Sequence, residues 1–107
     1  MSATRTNDAV LVRFRRALDK VYGSKIERVV LFGSRARGDA RADSDYDVAV
    51  FLYSFDSFNG EAARLAAIET DILYDTGAII NAMPFRAGAW HAGVGLMEEV
   101  RRDGVDL

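Results

Sequence analysis

The chain predicts one small α/β (α+β) domain spanning residues 1–107, a mixed β-sheet packed with helices in the order α-β-α-β-α-β-α. Three observations predict it. Apolar residues recur at helical spacing in two stretches, whereas three shorter apolar runs are rich in β-branched and aromatic residues. Gly23 and Gly77 follow these two helical stretches, as glycines past a helix end do, and Gly38 and Gly104 close two shorter helical segments. A length of 107 residues with 50% hydrophobic and 28% charged residues supports one core, not two.

The elements follow in order. Val10, Leu11, Phe14, Leu18 and Val21 mark the first helix, with Thr6 or Asn7 as its cap, Asp8 in its first turn and Gly23 past its end. Arg13, Arg16 and Lys20 lie on its opposite, solvated face. Residues 26–32, IERVVLF, read as a buried strand. Gly33-Ser34 comes next, then a short helical turn that Gly38 breaks and a polar loop over residues 39–45. Residues 46–53 form the second strand, with Tyr46 and Tyr53 as packing residues. Residues 54–60 are turn chemistry, and 61–75 form a helix with a Leu65, Ile68 and Ile72 stripe ended by Gly77. Residues 78–85 form a third strand, which Pro84 places at an edge or an end. Residues 94–102 form a last helix closed by Gly104, and 105–107 add a scrap of strand. Trp90 and Phe85 read as core, and His91 as surface or partly buried.

Composition narrows the chemistry. With no cysteine, thiolate metal sites, disulfides and thiol nucleophiles are excluded, and one histidine, His91, cannot form a histidine cluster. No apolar run reaches the ~20 residues of a membrane span, and the N-terminus lacks the apolar stretch of a signal peptide. A cytoplasmic location is expected. The formal net charge is −2, but it is unevenly spread. Residues 1–41 carry 10 Lys and Arg against 4 acids, and residues 42–107 carry 4 against 12. A basic cradle beside an acidic pocket suits phosphate plus a divalent metal. The acidic later portion argues against nucleic acid as the partner.

The chemistry concentrates between the first two strands. Gly33-Ser34 stands where a strand feeds a helical turn, and glycine lets the backbone come close to a ligand. The free N–H groups of the turn favour an anion. Ser34 adds a hydroxyl donor, and Arg35 and Arg37 add charge that can reach phosphate oxygens. Asp45 and Asp47, two apart at a strand start, point to one side with Cα atoms about 6.5 Å apart. Two such carboxylates repel unless a cation lies between them, and Mg²⁺ takes oxygen ligands of this kind. Asp43 serves to close the loop through backbone hydrogen bonds.

Together these residues form Gly33-Ser34, ten residues, then Asp45-x-Asp47, with an apolar strand on either side. The string GSRARGDARADSDYDVAV resembles the signature of the DNA-polymerase-β-like nucleotidyltransferase superfamily, and most closely its minimal nucleotidyltransferases. The resemblance implies a nucleotidyltransferase fold. It implies that Gly33 and Ser34 hold the phosphates of ATP or another nucleoside triphosphate, and that Asp45 and Asp47 bind one or two Mg²⁺, with Mn²⁺ as a substitute. It further implies transfer of AMP to a hydroxyl of a partner protein, with the chain as antitoxin to a HEPN-domain protein. The domain leaves no residues for a separate acceptor module, so a partner or a second copy of the chain supplies specificity. One departure matters. Active relatives commonly carry a third carboxylate on the next strand, where register places Ile79 here, with neutral Asn81 two residues on and Asp75 before the strand. That departure predicts a weakened second metal, and it favours an alternative, a non-catalytic protein of the same fold that masks a partner. A haloacid-dehalogenase phosphatase would place its apolar strand before the D-x-D, and a P-loop would follow its glycines with Lys-Ser/Thr, which Gly38-Asp39 lacks.

Overall fold

The computed structural model describes residues 8–93 and 95–107. Thr6 and Asn7, expected to cap the first helix, and Val94, the expected start of the last one, lie outside the described residues. The elements run α1 (Ala9–Tyr22), β1 (Ile26–Phe32), α2 (Ser34–Arg37), β2 (Tyr46–Leu52), α3 (Phe58–Thr76), β3 (Ile80–Arg86), α4 (Leu96–Asp103) and β4 (Val105–Asp106). Single 3-10 turns lie at Gly23–Lys25 and Ala89–His91. The expected order therefore holds, with β4 added at the end. The sheet order is β3-β2-β1-β4. β1 pairs antiparallel with β2 and β4, whereas β3 runs parallel to β2 because α3 carries the chain back across the sheet.

Asp8 is the N-cap of α1 rather than a first-turn residue. Its side chain accepts from the backbone N–H of Val10 at 2.8 Å and of Leu11 at 3.4 Å, and its other oxygen accepts from the Tyr46 hydroxyl at 2.7 Å. One carboxylate thus starts the helix and fastens it to the mouth of β2. The buried face of α1 is Leu11, Phe14, Leu18 and Tyr22, and Val21 is 49% exposed. At 3.6 residues per turn Tyr22 returns to within about 20° of Leu11, while Val21 falls about 80° away. α3 begins at Phe58, earlier than the expected 61, because Ser57 caps it by accepting from Gly60 N at 3.0 Å. It ends as expected at Gly77, whose φ of 79° is left-handed. Leu65, Ile68 and Ile72 are its buried stripe, and Leu73 beside them is 45% exposed. Glu61 is buried in the first turn of α3 and is held by Arg64 at 3.0 Å. Burial, together with Glu61, pushes the Tyr22 hydroxyl up to about 12.

Two apolar layers cover the sheet. On one face α1 and α3 pack over Val29, Leu31, Val48, Val50 and Ile80. On the other, Met97 and Val100 of α4 pack over Val30, Phe32, Ala49 and Phe51. Phe85 stacks on Phe51 at 5.3 Å and Trp90 meets it edge-on at 6.0 Å, so both belong to this second layer, though each is only half-buried. Tyr53 is no packing residue: β2 ends at Leu52 and Tyr53 is exposed. β3 is an edge strand, one of the two placements Pro84 allowed, and its edge is protected. The Ala82 N–H, turned away from β2, donates to Glu69 of α3 at 2.8 Å, and the next position in the same alternation is Pro84, which has no N–H. Burial raises the Glu69 carboxyl, and the Ala82 hydrogen bond opposes that shift.

The double role of Asp8 sets an expected outcome. Asp8→Ala loses the cap and the Tyr46 bond together and destabilises the fold by about 1–2 kcal/mol. Asp8→Asn keeps the cap and loses less than half of that. Urea unfolding midpoints at constant slope measure both.

Candidate active site

The site is assembled where β1 ends and β2 begins. Phe32, the last residue of β1, opposes Asp47 on β2. The chain then turns at buried Gly33, whose φ of 78° and ψ of −158° belong to glycine, and enters the short helix α2. The room that glycine leaves is taken by the protein itself. A Cβ at residue 33 would lie 2.5 Å from Asp47 Oδ2. Gly33 is therefore required for the approach of Asp47 to the turn, a tighter constraint than the ligand approach expected from sequence. Ser34 is half-buried at the start of α2. The first N–H groups of such a turn, those of Ser34 and Arg35, are not consumed by its internal bonds.

Asp45 and Asp47 do converge, and on a neutral residue. The Asn81 side-chain amide donates to Asp45 Oδ2 at 3.1 Å and to Asp47 Oδ1 at 3.3 Å. Parallel pairing of β2 and β3 makes Asn81 the direct partner of Asp47. The expected position of the third group, Ile79, is thereby corrected: Ile79 precedes β3, is 48% exposed, and its carbonyl instead receives the Tyr46 N–H at 2.9 Å. Counting from Gly77 missed this because β3 begins at Ile80. The alternation of β3 from Asn81 was the signal that could have found it. Asp75 does not reach in; it pairs with Arg13 at 2.7 Å. Among the described residues no three His, Asp or Glu side chains come together as a metal-holding group.

The two arginines are placed differently from the expectation. Arg35 donates to the carbonyls of Ser44 at 3.0 Å and Ala42 at 3.2 Å and lies over the Tyr46 ring at 3.9 Å. It fastens the loop before Asp45 onto α2. Burial and then the Asp8 bond raise the Tyr46 hydroxyl above its ordinary range, with Arg35 opposing. Arg37 pairs with Asp39 at 3.3 Å and with Asp103 of α4 at 3.5 Å. Asp103 is held below the usual carboxylate range, first by its hydrogen bond from Arg102 and then, against some burial, by Arg37. Both guanidinium groups are thus engaged in holding the scaffold. Ser44, whose hydroxyl accepts from Arg41 N at 2.8 Å, closes the loop in the part expected of Asp43, and Asp43 is exposed. His91 is exposed on its 3-10 turn. A hollow of about 590 Å³ runs along α1 between Ala9 and Lys20 and includes none of the expected site residues. A hollow of about 380 Å³ lies nearer, bounded by Asp43, Ser44, Tyr46 and Ile79.

Substitution at Gly33 should separate its two constraints. Gly33→Ala is expected to lose about 1–3 kcal/mol from its backbone conformation and to displace Asp47. Displacement will register as a shift of the Asn81 side-chain amide resonances. Gly38→Ala, also at positive φ but with nothing within 4 Å of its Cβ, should destabilise and leave those resonances in place.

Comparison with known proteins agrees with this architecture. Residues 11–91 match the nucleotidyltransferase domain family. A protein of Methanocaldococcus jannaschii named "putative protein adenylyltransferase" is 31% identical over 81 residues, covering 71% of this chain and 70% of its own length. A second protein of that organism with the same name is 37% identical over 43 residues, and the match spans 40% of this chain and only 43% of that relative. Among solved structures, a toxin–antitoxin crystal structure with AMP-PNP superposes with a TM-score of 0.66 at 17% identity, covering 94% of this chain and 72% of that one. One described as a "putative minimal nucleotidyltransferase" superposes at 0.61 with 23% identity, covering 96% and 100%. The two solved structures share the fold. The family match spans the Gly33-Ser34 turn, the Asp45–Asp47 pair and Asn81, and the chain belongs to the nucleotidyltransferase domain family.

Proposed function

We propose that this nucleotidyltransferase moves AMP from ATP, or the equivalent group of another nucleoside triphosphate, to a hydroxyl of a partner protein. The observation that carries the reading is the convergence of Asp45 and Asp47 within 3.3 Å of one nitrogen, directly against the Gly33 turn. The adenylyltransferase names of the two relatives support the transferred group. The toxin–antitoxin neighbour and the motif's likeness to minimal nucleotidyltransferases support a partner of the HEPN class, with a tyrosine hydroxyl as the acceptor to test first. The whole chain acts as one minimal domain in the cytoplasm, and the partner or a second copy completes the acceptor site.

The donor set fits one divalent cation. A single amide already draws one oxygen from each aspartate toward a common point, and two carboxylates completed by phosphate oxygens are a normal complement for Mg²⁺ or Mn²⁺. When bound, the cation neutralises charge on the triphosphate and its leaving group. Asp45 and Asp47 anchor and orient it. Gly33 keeps the turn close to Asp47, and the turn's N–H groups and Ser34 hydroxyl orient the triphosphate. Transfer would join the acceptor oxygen to the α-phosphorus as the bond from that phosphorus to pyrophosphate breaks, with the hydroxyl proton released to water. Arg35 and Arg37 act by fixing α2 and its loop. Among the described residues no third carboxylate joins the pair to receive a second ion.

That same absence favours a second reading, a partner-masking protein with weak or no turnover. One experiment separates the two. Incubated with ATP and Mg²⁺, the partner should gain mass in steps of one AMP, and Asp45→Ala/Asp47→Ala should remove the gain. A tight complex with unchanged partner mass moves the assignment to masking. Binding alone is read from thermal melts. Mg²⁺ with ATP at about 100 times the dissociation constant should stabilise the wild type by about 2.7 kcal/mol. Asp47→Asn and Gly33→Val should abolish that shift, and Gly38→Ala should retain it.

A further inference from the structure

We infer that Asn81 is a latch on the carboxylate pair: it stands in for the cation when none is bound and keeps the site's affinity for a bare cation low. The inference rests on the metal-dependent reading above. Three features of the structure point to it. The Asn81 amide nitrogen lies 3.1 Å from Asp45 Oδ2 and 3.3 Å from Asp47 Oδ1, so one NH₂ group satisfies both acids with its two N–H bonds. Asn81 is directly opposite Asp47 in the parallel register, on an edge strand, and its side chain is exposed. The other oxygen of Asp47, Oδ2, already lies against Gly33, so Oδ1 is the atom for which the amide and a cation compete.

The consequence is electrostatic. An amide supplies partial positive charge and directional bonds, enough to offset the repulsion of two carboxylates without supplying a full counter-charge. A cation entering between them must displace those N–H bonds. Once displaced, the side chain can turn its amide oxygen inward, but that oxygen is neutral, so the protein contributes two negative charges where an aspartate would make three. Bare divalent cations are then held weakly, and loading depends on the negative oxygens of the triphosphate arriving together with the cation. Asn81 is in this account a positioning and selectivity residue, coupling cation binding to nucleotide binding.

The test uses the full chain, Mn²⁺ as the probe and AMP-PNP as the triphosphate, with the variants Asn81→Ala and Asn81→Asp. Bound Mn²⁺ is read by electron paramagnetic resonance and fold stability by thermal melting in EDTA. The wild type should bind Mn²⁺ at least tenfold more tightly with AMP-PNP than without. Asn81→Asp should bind bare Mn²⁺ at least tenfold more tightly than the wild type. Asn81→Ala should melt about 4 °C lower in EDTA, the shift expected when one hydrogen-bonding group is lost from a domain of this size. It should recover that loss on adding Mn²⁺, because the cation then does what the amide did. An Asn81→Ala protein that melts with the wild type in EDTA, or an Asn81→Asp protein with unchanged bare Mn²⁺ affinity, overturns the latch while leaving the metal site standing. Absence of Mn²⁺ binding in all three proteins, with and without AMP-PNP, overturns the metal site and the latch together.

Discussion

The antiparallel pairing of β1 with β2 is the constraint from which the site follows. Its register sets Phe32 opposite Asp47, so the residue after Phe32 must turn past a carboxylate. A Cβ there would come within 2.5 Å of Asp47 Oδ2 and push the carboxylate aside, and only glycine adopts the required backbone angles without strain. The turn and the acid pair are thus two sides of a single packing solution. Shifting the register by one residue would send Asp47 to the face occupied by α1 and α3, where an unpaired charge is costly.

Two like charges at the mouth of a buried strand also need a neighbour. The parallel pairing of β3 supplies it by setting Asn81 beside Asp47. This depends on β3 lying at the sheet edge, where Asn81 stays open to solvent while Ile80 and Pro84 face inward. The edge remains closed to strand addition because Glu69 and Pro84 remove two successive donors from it. Closure of the edge and access to the acid pair are therefore met by alternate residues of a single strand.

The basic early segment and acidic later segment meet through specific pairs more than through a broad field. Arg13 reaches Asp75, Arg28 reaches Asp106 at 4.0 Å and Arg37 reaches Asp103. Pairs this exposed add little stability individually. Their effect is positional, since Arg37 ties α2 to α4 and Arg35 ties the preceding loop to Tyr46. The arginines of the motif thereby stabilise the frame of the site.

Local pattern was enough to recognise most elements and the acid pair. The run IERVVLF gave β1 with its boundaries, Gly77 ended α3, and the period of two set Asp45 and Asp47 on one side. The Gly33-Ser34 to Asp45-x-Asp47 spacing carried the family, because that spacing is a local consequence of two strands joined by α2 and a single loop. Helix starts were harder, since Asp8 and Ser57 act as caps through hydrogen bonds that composition does not display. Three things depended on tertiary structure. The register between β2 and β3, which selects Asn81 over Ile79, is fixed by strands separated in sequence by the whole of α3. The partners of Arg35 and Arg37 depend on where the loop carbonyls and α4 come to rest. The need for Gly33 comes from a carboxylate fourteen residues further along the chain, and no local rule connects those two positions until β1 and β2 are paired.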